Sequence, residues 1–550
     1  MAKRTRVDED YVGSDDESDA YLPEPVKKVQ RKSKNPKASG PKAKAKGRKV
    51  SKYFDPKEDI RCTVDGDRRP HAVTLHEVAE AYNIRVALLR WYDKVHEVRG
   101  MPWRKPYNPE FGPEERAQRA YEVWVSEIML QQTQVVTAIP YYNRWMEKYP
   151  TIRALAGSDI ETVNGIWKGL GYYSRAARLL SGAQKVVKEF NGRLPDNAKD
   201  MEAKIPGIGR YSAGAICSIA YNHCVPVLDG NVHRLLSRVL ALYAPPKDKK
   251  TLDILWAGAE AMVESADRPG DINQAMIELG STVCKVRDPS CETCPIRPWC
   301  RAYALSQDGQ AQSQGDIPDI EELCSVCEPL PLPEGSQALV AAFPMKADRK
   351  KAREELDIVN VIEWRSSADD DDRWFLLVRR PNTGLLAGLH EFPTKADVST
   401  DIAPSETAEI PESLLSSLLK TPLRPSKRLD SANGHTSNGL RIVHVKPAGD
   451  VLHIFSHLRK VYRVQWVVLE GGEKPPELMP FRLPTTRPGK SAKGKGGRAK
   501  ANRSKSSDDD EIEVLEQMEA RWLPLQEVAK ANIGTGVVKV WNKAKSLWER

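Results

Sequence analysis

The sequence predicts a multidomain chain: a disordered tail, then an all-α domain, then an α+β domain. Three observations predict it. Apolar residues recur at helical spacing between about 71 and 300, as in Val78, Tyr82, Val86, Leu88, Leu89 and Tyr92. Beyond residue 335 come strand-like runs, Trp374-Phe-Leu-Leu-Val378 and Lys460-Val-Tyr-Arg-Val-Gln-Trp-Val-Val-Leu469. Residues 1–65 hold almost no apolar anchors. At 550 residues the chain exceeds one core and suits two to four units of about 150 residues each. No apolar run reaches the roughly 18 residues of a membrane span, and the charged amino terminus has no signal-peptide apolar region, so neither a membrane nor a classically secreted protein is expected.

The tail opens with an acidic patch (Asp15, Asp16, Glu17, Asp19), and residues 25–52 then hold twelve Lys or Arg and no acid. A second basic block, residues 487–505, holds eight more. Such blocks attract polyanions or nuclear import receptors, or serve only as solvated tails. Between 71 and 300, Gly and Pro punctuate the periodic segments at short intervals, which predicts short-linked helices. Residues 301–335 read as a polar connector. The second domain, 336–548, is expected to carry disordered inserts near 400–438 and 471–510 and a closing helix near 536–548. Nine cysteines, an odd number in a long chain, point toward metal rather than a disulfide framework.

Cys284-x6-Cys291-x2-Cys294-x5-Cys300 places four thiolates within 17 residues, able to converge on one metal centre, with zinc or iron–sulfur as candidates. Upstream, Lys204-Ile-Pro-Gly-Ile-Gly-Arg-Tyr-Ser-Ala-Gly-Ala215 sets a glycine turn between two apolar helical segments. Backbone N–H groups around Gly207 and Gly209, with the following helix N-terminus, could hold a DNA phosphate. A plain helix–helix connection would look the same. Asp229, in Val227-Leu-Asp-Gly-Asn-Val-His-Arg234, precedes an amphipathic helix and by itself reads as an N-cap.

The 6-2-5 cysteine spacing resembles the iron–sulfur loop of the endonuclease III family, which implies one [4Fe–4S] cluster held by Cys284, Cys291, Cys294 and Cys300. Hairpin, aspartate and cysteine loop in this order match a helix–hairpin–helix glycosylase domain. Within that superfamily, Trp124-Val-Ser-Glu-Ile-Met-Leu-Gln-Gln-Thr-Gln-Val135 resembles the signature helix of the MutY-type adenine DNA glycosylases, as do Pro102-Trp-Arg104, Gly169-Leu-Gly-Tyr-Tyr-Ser-Arg175 and Asn273-Gln-Ala-Met-Ile-Glu-Leu-Gly280. Bifunctional relatives carry a nucleophilic lysine where this chain has Tyr211, so strand cleavage is not expected. The resemblance implies Glu127 as the acid that protonates adenine and Asp229 as the carboxylate that stabilises the sugar cation, supported by Tyr211 and Asn231. Trp103, Arg104 and Glu278 match adenine-pocket positions, Tyr172 the wedge beside the lesion, and Gln131 and Gln132 the residues facing the opposite base.

The second domain resembles the MutT/Nudix-like domain of that family through Arg379-Arg-Pro-Asn-Thr-Gly-Leu-Leu-Ala-Gly-Leu-His-Glu-Phe-Pro393 and Phe455-Ser-His457. It lacks the acidic helix that holds Mg²⁺ in Nudix hydrolases, so recognition of 8-oxoguanine by Phe455, Ser456 and His457 is implied instead. Cys324 and Cys327 form a lone C-x2-C. Two ligands do not make a zinc site, so a second metal is not expected there, although His71 or His76 could contribute. The expected partner is duplex DNA carrying adenine opposite 8-oxoguanine or guanine, together with unnamed replication and repair proteins. The expected state is a monomer, in the nucleus and with a mitochondrial share left open. Two rivals remain: an endonuclease III-like glycosylase/lyase for oxidised pyrimidines, opposed by Tyr211, and a non-catalytic DNA-binding scaffold, opposed by the pair Glu127 and Asp229.

Overall fold

The computed structural model describes residues 71–307, 323–330, 336–347, 352–367, 372–381, 386–424, 439–455, 458–479 and 519–548. The tail, both basic blocks, Ser456 and His457 lie outside the described residues.

The first part is all helix. In chain order it runs α1 (Ala81–Val95), α2 (Pro113–Leu130), α3 (Val135–Lys148), α4 (Ile152–Ala156), α5 (Ile160–Trp167), α6 (Ser174–Glu189), α7 (Ala198–Lys204), α8 (Arg210–Tyr221), α9 (Gly230–Val239), α10 (Lys249–Val263) and α11 (Pro269–Thr282). The cysteine loop follows, then α12 (Arg301–Gln307) and α13 (Ser336–Ala342). Pro113 opens α2 at its first turn, and Glu115 Oε2 accepts from the Gly112 N–H at 2.5 Å. From Val123 to Met129 every residue of α2 is buried, because α3, α6 and α8 pack around it. Gly182 of α6 permits the closest approach: a Cβ there would meet the Trp124 ring of α2 at 2.7 Å. A helix enclosed on all sides takes any polar residue it carries into the core. That is how Glu127 becomes buried.

The second part is built on a seven-stranded sheet: β1 (Arg353–Arg365), β2 (Trp374–Arg379), β3 (His390–Glu391), β4 (Thr394–Lys395), β5 (Arg441–Ile454), β6 (Leu458–Glu470) and β7 (Ala520–Pro524). The order is β3-β2-β1-β6-β5, with β4 also on β1 and β7 also on β2. β1 and β6 run parallel from Arg353–Leu458 to Arg365–Glu470, and the other pairs are antiparallel. β1 is buried almost continuously rather than alternately because both faces are covered. One face carries α16 (Thr535–Lys545), through Val537, Val540 and Trp541. The other carries α14 (Pro404–Leu418), through Leu415 and Leu418. A short helix, α15 (Leu525–Val528), links β7 to α16.

α14 corrects the expectation that the insert near 400–438 is without fixed structure, as far as residue 424; residues 425–438 and 480–510 lie outside the described residues. Its polar composition and internal Pro411 conceal a stripe of leucines that the sheet buries. Residues 471–479 are likewise ordered against it, with Leu478 bridging Leu419. The closing helix lies where the sequence places it. Among the described residues, no helix is long and apolar enough to cross a membrane.

Candidate active site and metal centres

A cleft of about 880 Å³ opens between α2, the α5–α6 loop, and the start of α8 and α9. Trp103, Arg104, Glu127, Gln131, Gln132, Tyr172, Tyr211, Asp229 and Asn231 line it. Those residues span 129 positions of chain, yet the structure brings them to one cavity of ligand-binding size.

Glu127 lies on the wall of this cleft, 9% exposed. Its Oε2 accepts from the Tyr211 hydroxyl at 2.7 Å. Burial pushes its carboxyl up to about 7, and the nearby Asp229 charge adds to the effect; the Tyr211 bond and Arg104 pull the other way. Arg104 does not pair with it, because that guanidinium is taken by Glu278 at 2.6 Å. Glu278 also accepts from Arg99 at 3.1 Å. It thus sits behind the cleft wall, anchoring two arginines that line it. Tyr211 is held well above the ordinary phenol range by burial and by the two carboxyls.

Asp229 is both an N-cap and a cleft residue. Its Oδ1 accepts from the Val232 N–H at 2.7 Å, and its Oδ2 from the Asn231 amide at 2.8 Å. Burial raises its carboxyl, against the opposing pull of those two donors. Asn231 is fixed in turn by Arg234, whose Nη2 donates to Asn231 Oδ1 at 2.9 Å and whose Nε donates to the Cys284 carbonyl at 2.9 Å. Gly280 of α11 lets this region close: a Cβ there would meet Asn231 at 2.8 Å.

Residues at the rim come from strained turns. α2 ends at Gln131, and Gln132 takes a left-handed φ of 54°. Tyr172, φ 46° and 48% exposed, follows Gly169 and Gly171, which are also left-handed. Arg175, absent from the sequence-derived site, pins both turns by donating to the carbonyls of Gln131, Leu170 and Gly171 at 2.5, 3.2 and 3.1 Å. Gly207 and Gly209 form the α7–α8 turn outside the cleft lining. Gly207 has φ 84°, and a Cβ on Gly209 would meet nothing within 4 Å, so its backbone is open to a ligand. Phe455 directly follows β5 in the sheet domain, edge-on to His453, and is not part of the cleft.

Cys284, Cys291, Cys294 and Cys300 line a single cavity walled by Leu235, Val239, Val283 and Ile296. The buried Arg238 of α9 enters it and donates to Cys284 Sγ at 3.2 Å and to the Lys285 and Val286 carbonyls. Four thiols around an apolar cavity, with an N–H donor to sulfur, fit an iron–sulfur cluster.

A second donor set corrects the expectation that Cys324 and Cys327 stand alone. His71, His76, Cys324 and Cys327 bring their ligand atoms within 4.8 Å of one another. His76 Nε2 is 3.1 Å from His71 Nε2 and 3.4 and 3.3 Å from the two sulfurs. Donors around a tetrahedral zinc at bond lengths of about 2.0–2.3 Å stand at comparable separations. His76 Nδ1 lies 2.9 Å from the Leu240 carbonyl, the outer contact that directs Nε2 inward. The Cys324 N–H donates to the His71 carbonyl at 2.8 Å, tying the two segments together. The histidines precede the cysteines by about 250 residues; the sequence allowed either one as a contributor, and the structure brings in both.

A buried, raised carboxyl facing a capped one, beside a helix–turn–helix hairpin and a four-cysteine loop, defines a helix–hairpin–helix DNA glycosylase. Residues 125–260 match the model of the HhH-GPD superfamily base excision DNA repair proteins. The chain belongs to the adenine DNA glycosylase family. It is 42% identical over 401 residues to the rat adenine DNA glycosylase, covering 72% of each chain. It is also 42% identical over 404 residues to the human one, covering 72% of this chain and 68% of that one. Among solved structures, a trapped endonuclease III–DNA covalent intermediate aligns with 41% of this chain and 97% of its own, at 18% identity and a TM-score of 0.32.

Proposed function

We propose that the protein flips adenine paired with 8-oxoguanine or guanine out of duplex DNA and hydrolyses its glycosidic bond without cutting the strand. Membership of the family makes it a DNA N-glycosylase that excises adenine in base excision repair. The observation that carries the mechanism is Glu127, whose carboxyl near 7 is a proton donor at neutral pH. With Oε2 occupied by Tyr211, the free Oε1 presents the proton to the flipped base. Departure of the base leaves positive charge on the sugar, which the Asp229 carboxylate stabilises. Its two fixed hydrogen bonds keep it oriented without a change of geometry during the reaction. Water then adds, with Glu127, now deprotonated, as the base.

Trp103 and Arg104 form the pocket wall, Arg104 held by Glu278; Tyr172 wedges beside the lesion, and Gln131 and Gln132 face the opposite base. Gly207 and Gly209 hold a phosphate. The sheet domain, read as MutT-like on the run Arg379–Pro393, would read 8-oxoguanine through Phe455, Ser456 and His457. Cys284, Cys291, Cys294 and Cys300 would hold a [4Fe–4S] cluster, ordering the loop of Lys285 and Arg287. His71, His76, Cys324 and Cys327 would hold zinc. The basic blocks support a nuclear location.

The test is the purified protein on duplexes carrying adenine opposite 8-oxoguanine, adenine opposite guanine, and thymine glycol, with and without alkali. Breaks that need alkali and occur only on the adenine duplexes are expected. Thymine glycol excision, or breaks without alkali, would overturn the reading. Metal analysis of natively purified protein should find close to four iron and one zinc per chain.

A further inference from the structure

We propose that Lys168 is a positioning residue that sets the register between the sheet domain and the Tyr172 loop. It caps α5 at the start of that loop. Its Nζ donates to the Ala529 carbonyl at 2.7 Å and to the Ala531 carbonyl at 2.9 Å, both in the segment that follows α15 in the sheet domain. The acceptors are backbone atoms, so the bond reports the placement of that segment's main chain and is indifferent to its side chains. The same segment is held from beside it: Asn532 Nδ2 donates to the Glu161 carbonyl at 2.8 Å. On the other side of Lys168, its own carbonyl accepts from the Tyr141 hydroxyl at 2.8 Å.

The loop beyond has little freedom to absorb a shift. Gly169 has φ 98°, and a Cβ there would collide with the Tyr141 hydroxyl. The Gly169 N–H donates to the Tyr173 hydroxyl at 3.2 Å, and Gly171 accepts from Trp167 Nε1 at 2.9 Å. Arg175 ties Leu170 and Gly171 to Gln131 across the cleft. A movement of the segment after α15 is therefore passed to Tyr172 and Gln131 rather than dissipated. Lys168 itself sits at a partly covered surface, where burial lowers its amine.

This rests on the reading that the sheet domain senses the base opposite adenine. The experiment uses full-length Lys168→Met, which keeps the apolar stem and removes the donor, and Lys168→Arg, which restores one. Hydrogen exchange is measured in segments 165–172 and 525–533, and single-turnover rates are measured on adenine opposite 8-oxoguanine and opposite guanine. In Lys168→Met, exchange should rise in both segments, and the preference for 8-oxoguanine should narrow by about tenfold, mostly through a slower rate on that duplex. Lys168→Arg should recover most of the preference. Unchanged exchange in both segments overturns the contact. Faster exchange with an unchanged ratio overturns the positioning role. A wild-type protein with no preference would instead remove the base-sensing reading, and with it the proposed consequence, while exchange still decides the contact.

Discussion

Glu127 and Glu363 are carboxylates buried in the two domains, and their surroundings differ in one respect: the supply of donors. Glu363 accepts from Arg373 Nε at 2.7 Å, from Arg373 Nη2 at 2.5 Å and from Trp466 Nε1 at 2.8 Å. Lys460 likewise closes on Asp357. In the helical domain Glu127 receives one neutral hydroxyl, while Arg104, whose charge acts on it, is held by Glu278. A carboxylate matched by several donors is a structural anchor. One left short of donors keeps its proton and is available for chemistry.

The contrast is tested first at Glu127. Glu127→Gln should lower the single-turnover rate on adenine opposite 8-oxoguanine by 10²–10⁴-fold while leaving lesion binding largely intact, because a proton donor is lost and not a phosphate contact. Survival of excision within tenfold would end its role as the acid. Asp229→Asn should cost about 10²–10³-fold, since Asn can still cap α9 at Val232 but carries no charge. Near-normal turnover would reduce Asp229 to a helix cap.

At the matched carboxylate the expected loss is of stability. Glu363→Ala strands Arg373 and Trp466, and should lower unfolding free energy of the sheet domain by about 3–5 kcal/mol in denaturant melts. If the chemical step on adenine opposite guanine fell as steeply in still-folded protein, the division between structural and chemical carboxylates would fail.

A smaller effect follows pH. The reaction needs protonated Glu127, so the single-turnover rate should fall as pH rises through about 7, approaching tenfold per unit beyond it. A flat profile from pH 6 to 9 would show that another group delivers the proton.

The smallest effect is on stability. Folding raises the Glu127 carboxyl from 4.5 to about 7, so the folded state binds this proton more tightly. Stability should therefore decline as pH climbs from 4.5 to 7 and stay lower above, by at most about 3 kcal/mol. Glu127→Gln carries no such penalty. Its melting temperature relative to wild type should rise by a few degrees between pH 5 and pH 8, read by calorimetry. A constant difference would place Glu127 in a wetter site than the one seen here.

What the sequence alone determined is what neighbouring residues can express. The four cysteines of one loop, the Pro206–Gly209 turn, Glu127 followed by two glutamines, and Asp229 ahead of a helix are all spacings within 20 residues. Helical periodicity and strand runs likewise placed the two domains and the last helix. Tertiary structure decided the rest. That Glu127 is short of donors depends on Arg104 being claimed by Glu278, 174 residues away. His76 meets Cys324 and Cys327 across 248 and 251 residues, so a pair that looked incomplete becomes a four-donor set. Arg175, Arg234 and Lys168 each anchor a carbonyl in another segment, a role that no spacing along the chain expresses. α14 looked like a polar insert until the sheet buried its leucines. The physical reason is the same in every case. Spacing along the chain specifies local backbone geometry, whereas the partner of a buried charge or an isolated ligand is selected only when packing closes distant segments and desolvates what they enclose.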